Sequence, residues 1–197
     1  MLKRLFDLIF SSIGLIVSSP FLFLIAVWIK IDSPGPVFFR GTRIGKSGKP
    51  FRIFKFRTMV ANAENLGGPS TAGDDPRLTK IGNFLKKYQL DELPQLINVM
   101  AGDMTLVGPR PEVKIYVDMM TDEERNKILS VRPGMTDLAS LWDFHEGEIL
   151  KGSADPEKTY MEKIRPEKLR LQQEYVKNRS FLLDLKIIIK TIMKVFH

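Results

Sequence analysis

An uncharged run from Leu8 to Ile29, 22 residues with Pro20 near its middle, constrains this chain more than any other stretch. As a helix it is long enough to cross a hydrocarbon core of about 30 Å. Pro20 cannot donate to the Ile16 carbonyl and its ring crowds the preceding turn, so a helix that kinks or breaks at Ser18-Ser19-Pro20 is predicted. The Ser18 and Ser19 hydroxyls can return a donor to the freed carbonyls. Ser11, Ser12 and Gly14 soften the segment further.

The flanks of the run bear on its topology. Lys3 and Arg4 stand at one end, Lys30 and a basic stripe at the other, and cationic flanks favour the cytoplasmic side. A segment that enters one leaflet, breaks at Ser19-Pro20 and returns satisfies both ends, whereas a plain span satisfies one. A cleaved signal peptide fits least, because the apolar run continues past Pro20 and no Ala-x-Ala site follows.

The remaining chain suits one domain with a real core, and it contains no cysteine and only His145 and His197 as imidazoles. Zinc sites and Ser-His-Asp triads are thereby disfavoured, which leaves oxygen ligands and carboxylate chemistry. The net charge of +7 is uneven: from Lys30 to Met59 eight Lys and Arg face one acid, Asp32. Such a stripe suits nucleic acid, an anionic membrane surface or a polyphosphate, and composition does not choose among them.

Pattern reading supplies the elements. Val37 to Ile44 and Phe51 to Met59 flank Gly45-Lys-Ser-Gly48 as a β-hairpin, with a phase slip between Ile53 and Phe54 that points to a bulge. Residues 61–78 lack apolar periodicity and form a long loop, either a lid or disordered. Thr79 to Tyr88 is a short basic amphipathic helix suited to a headgroup layer or to the core. Thr121 to Glu124 is a capping box for a helix to about Leu129. Residues 141–155 are polar, with His145 a surface residue rather than a ligand. Pro156 to Asn178 is helical with a break at Pro166, and Ser180 caps a last helix to Phe196. That helix is apolar around a Lys186, Lys190, Lys194 stripe, which suits contact with lipid or with the N-terminal helix.

Residues 90 to 112 hold the chemistry. Pro94 is tolerated in a first turn, and Leu93, Leu96, Ile97 and Met100 recur at helical spacing, so a short helix begins near Asp91 and Glu92 and closes at Ala101-Gly102. Met104 to Val107 reads as a buried strand, followed by Arg110 between Pro109 and Pro111. Two acids in a first helical turn are ordinary complements of the helix dipole, and a Pro-Arg-Pro turn alone is unremarkable. A stiffly held guanidinium opposite a carboxylate pair is, however, how a site for phosphate and a divalent cation is built.

The whole string narrows these alternatives. Leu90 to Leu96, then Gly102-Asp103-Met104, then Val107 to Pro111 resembles the signature of the bacterial sugar transferases called monotopic phosphoglycosyl transferases. Lys55-Phe-Arg57-Thr-Met59 is similar to an element beside that family's active site, Ser19-Pro20 stands where its membrane helix breaks, and Val131 to Ser140 resembles a further motif. Lys86 stands where an Arg is usual, Asp137 replaces a usual Gly and Ser140 a usual Gln.

The resemblance implies an α+β fold, mostly helical, with a small hairpin or short sheet. Residues 1–31 would be a re-entrant membrane helix, and residues 32–197 a catalytic domain with interfacial amphipathic helices on the cytoplasmic face of the bacterial inner membrane. It implies transfer of a sugar 1-phosphate from a UDP-sugar to a polyprenyl phosphate, with release of UMP. Asp91 would be the nucleophile, Glu92 the ligand of Mg²⁺, and Lys55, Arg57, Lys86 and Arg110 the phosphate or nucleotide contacts. Membrane lipid is an expected partner, nucleic acid is not, and a homodimer is left open. The rival readings are a glycosyltransferase that releases UDP and a non-enzymatic module for anionic membranes.

Overall fold

The computed structural model describes residues 2–68, 70–144 and 146–195. The chain is α+β, with ten α-helices and three two-stranded sheets among those residues. Helix α1 (Leu2–Asp32) runs through Pro20 without leaving the helical state, so the expected interruption at Ser19-Pro20 is not a break. The reason lies in the serines: Ser19 Oγ donates to the Ile16 carbonyl at 2.8 Å, the group that proline leaves unpaired, and Ser18 Oγ donates to Gly14 at 2.6 Å.

Both ends of α1 are fastened to the same body. Near its start, the buried Asp7 carboxylate accepts from Thr105 Oγ1 at 2.6 Å and from the Leu106 amide at 3.1 Å. Near its end, Ile25 and Ile29 pack with Phe56, Ile81 and Leu85. At 1.5 Å per residue these attachments lie roughly 30 Å apart along the axis. The outward face stays apolar and open, with Ile16, Val17 and Leu24 among its exposed side chains.

The hairpin forms as expected, but without a bulge. Strand β1 (Phe38–Phe39) pairs antiparallel with β4 (Lys55–Phe56), and β2 (Thr42–Ile44) with β3 (Pro50–Arg52). Phe39 faces Lys55 and Thr42 faces Arg52, so the register is the same on both sides of the gap and neither strand carries an extra residue. The ladder opens instead at Ile53 and Phe54. There Asn98 substitutes for a strand, its Oδ1 accepting from the Phe54 amide at 2.8 Å and its Nδ2 donating to the Arg52 carbonyl at 2.9 Å. The phase slip follows because Ile53 packs against Val99 and Met104, whereas Phe56 packs against α1.

Arg77 staples the long loop, donating to Asp75 and to the carbonyls of Ala63, Gly68 and Ser70. Helix α2 (Lys80–Lys87) is capped by Thr79, whose Oγ1 accepts from the Gly82 amide. Gly82 is required for close approach, since a Cβ there would lie 1.8 Å from the Thr58 carbonyl oxygen. Gly82→Ala is expected to cost about 1–3 kcal/mol through overpacking. A denaturant midpoint equal to the native one would show that this contact yields freely.

A 3₁₀ turn over Leu90–Gln95 leads into α3 (Leu96–Ala101), which Gly102 closes in the left-handed region. The dyad therefore sits on a 3₁₀ turn rather than in an α-helix. Strand β5 (Thr105–Val107) pairs in parallel with β6 (Gly134–Thr136), as the expected buried strand. Helices α4 (Lys114–Asp118) and α5 (Asp122–Ile128) follow β5, and the Thr121 capping box is present on α5. After β6 come α6 (Leu138–Trp142), α7 (Glu146–Leu150) and α8 (Pro156–Thr159).

A π-turn over Tyr160–Ile164 joins α8 to α9 (Arg165–Asn178), so the expected break at Pro166 is a widened turn in a continuous helical segment. Helix α10 (Phe181–Val195) begins at Ser180, whose Oγ accepts from Leu183 at 3.2 Å. One face packs Ile187 against Val107, Tyr175 and Val176, and the other leaves Leu182, Ile189 and Met193 exposed. The expected helix end at Phe196 and the surface placement of His145 lie outside the described residues.

Candidate active site

The dyad is presented by a turn that three segments hold. Gln89, in the left-handed region at φ 53, opens the turn, and its side-chain amide donates to the Phe144 carbonyl at 3.0 Å. Strand β4 brings Lys55 to the turn. Arg110 arrives on the segment after β5, where the Pro109 carbonyl accepts from Gly134 at 2.9 Å and the Glu112 carbonyl accepts from Ile44 at 2.9 Å. With prolines on both sides and these backbone bonds around it, the guanidinium is aimed before any ligand arrives.

Glu92 is the tied member of the pair. Arg110 grips it with both terminal nitrogens, Nη1 reaching Oε2 at 2.9 Å and Nη2 reaching Oε1, while Lys55 Nζ donates to Oε1 at 2.7 Å. Burial pushes the Glu92 carboxyl up, but the Arg110 and Lys55 charges outweigh it and hold the group well below the usual carboxylate range. Asp91 is buried too, yet its Oδ2 has Lys55 only at 3.7 Å. Burial, reinforced by the Glu92 charge, pushes the Asp91 carboxyl up in spite of Lys55, Lys86 and Arg110. Two adjacent acids are thus driven in opposite directions, the arrangement in which neighbouring carboxylates take different roles.

Lys86, on α2, makes no direct contact with the pair but lies within its field. Burial depresses its ammonium, with Lys55 adding to the effect and Asp91 opposing it. Arg57 is placed elsewhere. It is buried and donates to the carbonyls of Pro36 at 2.7 Å, Ser33 at 2.9 Å and Pro34 at 3.0 Å, clamping the connector after α1. Lys55, Lys86, Asp91, Glu92 and Arg110 are therefore brought together, while Arg57 is committed to the backbone and Ser19-Pro20 lies within α1.

A second ionic group, not foreseen from the sequence, adjoins Arg110. The buried Lys168 ammonium pairs with Asp143 at 3.0 Å and with Glu146 at 2.9 Å, and both acids act on the Arg110 charge. Glu112, two residues beyond Arg110, is buried with neither carboxylate oxygen hydrogen-bonded, and burial raises it despite Lys168 and Arg165. No local pattern could have revealed this group, because Lys168 on α9 meets partners more than 20 residues away.

Mg²⁺ is commonly held by one or two carboxylates together with substrate phosphates. Glu92 Oε2 accepts a single bond and Asp91 has open acceptor positions, so the pair fits such a cation. Among the described residues no group of three acidic or imidazole side chains could hold a metal unaided.

A family model described as bacterial sugar transferase matches residues 1–197. The chain is 36% identical over 198 residues to the UDP-glucose:undecaprenyl-phosphate glucose-1-phosphate transferase of Escherichia coli (strain K12), covering 100% of this chain and 40% of that protein. It is 38% identical over 194 residues to the UDP-N-acetylgalactosamine-undecaprenyl-phosphate N-acetylgalactosaminephosphotransferase of Aeromonas hydrophila, covering 97% of this chain and 43% of that protein. Against the exopolysaccharide production protein PSS of Rhizobium leguminosarum bv. phaseoli the identity is 37% over 204 residues, covering 98% of this chain and 94% of that one. The chain thus spans about two-fifths of the first two relatives and nearly all of the third. With its whole length matched and the Asp-Glu pair set against Lys55 and Arg110, the chain belongs to the bacterial sugar transferase family.

Proposed function

We propose that this chain transfers a sugar 1-phosphate from a UDP-sugar to a polyprenyl phosphate through a covalent intermediate on Asp91, as the first membrane step of glycoconjugate assembly. The observation that carries the reading is the asymmetry of the dyad: Glu92 is locked by Arg110 and Lys55, and Asp91, with Lys55 no nearer than 3.7 Å, is left open to attack. An Asp91 carboxylate oxygen attacks the phosphorus that bears the sugar. The bond from that phosphorus to the bridging oxygen breaks, and UMP leaves with the electron pair. An oxygen of the polyprenyl phosphate then attacks the same phosphorus, forming the sugar diphosphate lipid and releasing the Asp91 carboxylate unchanged.

Lys55 and Arg110 offset the repulsion between carboxylate and diphosphate, and the incoming phosphates compete with Glu92 for them. Lys86 adds a point charge where the family usually carries a guanidinium. A bound Mg²⁺, at Glu92 beside Asp91, would supply further charge neutralisation on the diphosphate. The names of the relatives support the substrate classes, in that two are named for UDP-sugar and undecaprenyl-phosphate chemistry.

The test is the nucleotide that leaves when the full chain, polyprenyl phosphate, Mg²⁺ and a panel of UDP-sugars are combined. UMP is the expected product. Release of UDP would assign direct glycosyl transfer instead, and the absence of any nucleotide product across the panel would count against an enzyme of this class.

We further infer that both ends of α1 face the cytoplasm, with its apolar face in the inner membrane. Attachment of residues 3–7 and 25–32 to one polar body supports this, since an upright span would draw that body into lipid. Trp28, Phe84 and Tyr88 form an exposed aromatic row, with Trp28 to Phe84 at 5.9 Å and Phe84 to Tyr88 at 5.0 Å, suited to the bilayer interface. Cysteines placed at Leu2 and Ser33 are expected to react with an impermeant reagent only from the cytoplasmic side. Labelling from opposite sides would establish a spanning helix.

A further inference from the structure

A cavity of about 380 Å³ opens between the start of α1, β5 and the start of α10. Its lining includes Lys3, Arg4, Lys46, Arg132 and Arg179, against two acids, Asp7 and Asp184. None of the residues of the proposed transfer site lines it. Both acids are already matched. Asp7 accepts from Thr105 and the Leu106 amide, and Asp184 accepts from Lys3 at 2.5 Å and from the Tyr175 hydroxyl at 2.7 Å. Arg4 is spent on the carbonyls that end α3, donating to Val99 at 2.6 Å and Met100 at 3.0 Å.

The remaining three cations are not so matched. Lys46, Arg132 and Arg179 are exposed at the cavity, and none forms an ion pair with an acid of the described residues. Lys46 stands on the hairpin turn, which is held by Ser47 donating to the Leu129 carbonyl at 2.8 Å. Arg132 donates through Nε to the Gly102 carbonyl at 2.9 Å, which positions its guanidinium. Arg179 precedes the Ser180 cap of α10. Three charges from three separate segments thus converge on one opening.

What adjoins that opening is apolar. Leu2 is 65% exposed on α1 and Leu182 is 77% exposed on α10, and Phe6 meets Phe181 edge-on at 5.2 Å, joining the two helices. Both outward faces continue as exposed aliphatic surface away from the cavity. A free phosphate would satisfy the cations and leave these faces bare, whereas a zwitterionic lipid would cover the faces and bring its own cation to a site that already has three.

We propose that this cavity binds the phosphodiester headgroup of an anionic phospholipid, with its acyl chains laid along α1 and α10. Lys46, Arg132 and Arg179 contact the headgroup and Leu2, Phe181 and Leu182 the first part of the chains. The proposal rests on the chain lying at a bilayer surface but not on the transfer chemistry. Its failure is distinguishable from failure of that topology, because binding is read in detergent and topology by cysteine labelling.

The test is native mass spectrometry of the full-length protein in a non-ionic detergent, titrated with phosphatidylglycerol or with phosphatidylcholine of the same acyl length. One phosphatidylglycerol is expected to bind at least about tenfold more tightly than phosphatidylcholine, as unopposed Lys and Arg charges at a membrane surface warrant. The combined Lys46→Ala, Arg132→Ala and Arg179→Ala variant is expected to lose that preference. Arg132→Lys with Arg179→Lys, which keeps the charge, is expected to retain most of it. Arg179→Glu alone, on an exposed side chain, gives a reduced preference without relying on the triple variant to fold. Equal binding of the two lipids by the native protein, an undiminished preference in the triple variant or in Arg179→Glu, or displacement of phosphatidylglycerol by an equal concentration of inorganic phosphate would each overturn the proposal.

Discussion

Asp91→Asn is expected to remove turnover, by at least about 10³-fold as is typical when a covalent nucleophile is lost, while leaving the protein folded and, at neutral pH, no less stable. The first half follows from the proposed role, since an amide cannot supply the attacking oxygen. The second follows from the environment. Burial and the Glu92 charge raise the Asp91 carboxyl in the folded chain, so ionising it costs more there than in the unfolded chain. Stability from this group is fully present below the ordinary carboxylate pKa and is lost as pH rises through the raised folded value. The Asn variant has no such loss, so its melting temperature should gain on the native one as pH rises through that window. Labelled sugar phosphate should be trapped on the native protein when polyprenyl phosphate is withheld and be absent from the variant. An active Asp91→Asn enzyme, or sequential kinetics with no trapped label, would instead mean that the acceptor attacks the sugar nucleotide directly.

Arg110→Ala is expected to act on both stability and activity, with the opposite pH signature. It leaves Glu92 buried with Lys55 as its remaining cationic partner. Breaking a buried pair from one side costs about 3 kcal/mol at the lower end of the usual range, and the lower end applies because the Arg110 side chain keeps 28% of its exposure. The folded carboxyl of Glu92 lies below its usual range, so the stability it contributes is present above the ordinary carboxylate pKa and is lost as pH falls through the depressed value. The deficit of the variant should therefore be full at neutral pH and shrink in acid. Arg110→Lys should recover part of the stability but little of the nucleotide-sugar use, because a single ammonium cannot reproduce the two-pronged contact. Melting curves at pH 7 and pH 3 that superimpose for the native protein and the Ala variant would remove the ion pair from the account. Unchanged kinetics in the Lys variant would remove Arg110 from the substrate site.

These two residues show how far the sequence reaches into the site. Asp91, Glu92 and Arg110 lie in one motif within 20 residues, and Lys55 in another, so they were legible as a string. What was not legible is that Glu92 would be gripped by both cations while Asp91 stood apart, because that depends on the rotation of a 3₁₀ turn set by Gln89 and on where β4 passes. Arg57 carries the complementary lesson. Two residues from Lys55 on the same segment, it reads as an equal cation, yet it closes on three carbonyls of the connector after α1.

By itself the sequence determined the local elements whose causes are local: the apolar helix and its serine-rescued proline, the Thr79 and Thr121 caps, the hairpin turn and the Gly102 stop. Each depends on residues within a few positions of one another, where propensity and hydrogen-bonding reach suffice. The tertiary structure alone decided the matters that require distant segments to meet. It placed Asn98 where the hairpin opens, and so removed the need for a bulge. It paired Lys168 with Asp143 and Glu146 beside Arg110, and it gathered Lys46, Arg132 and Arg179 around one cavity. A charge on a surface and a charge in a site are the same residue in one dimension, and burial, with the partners it imposes, is what separates them.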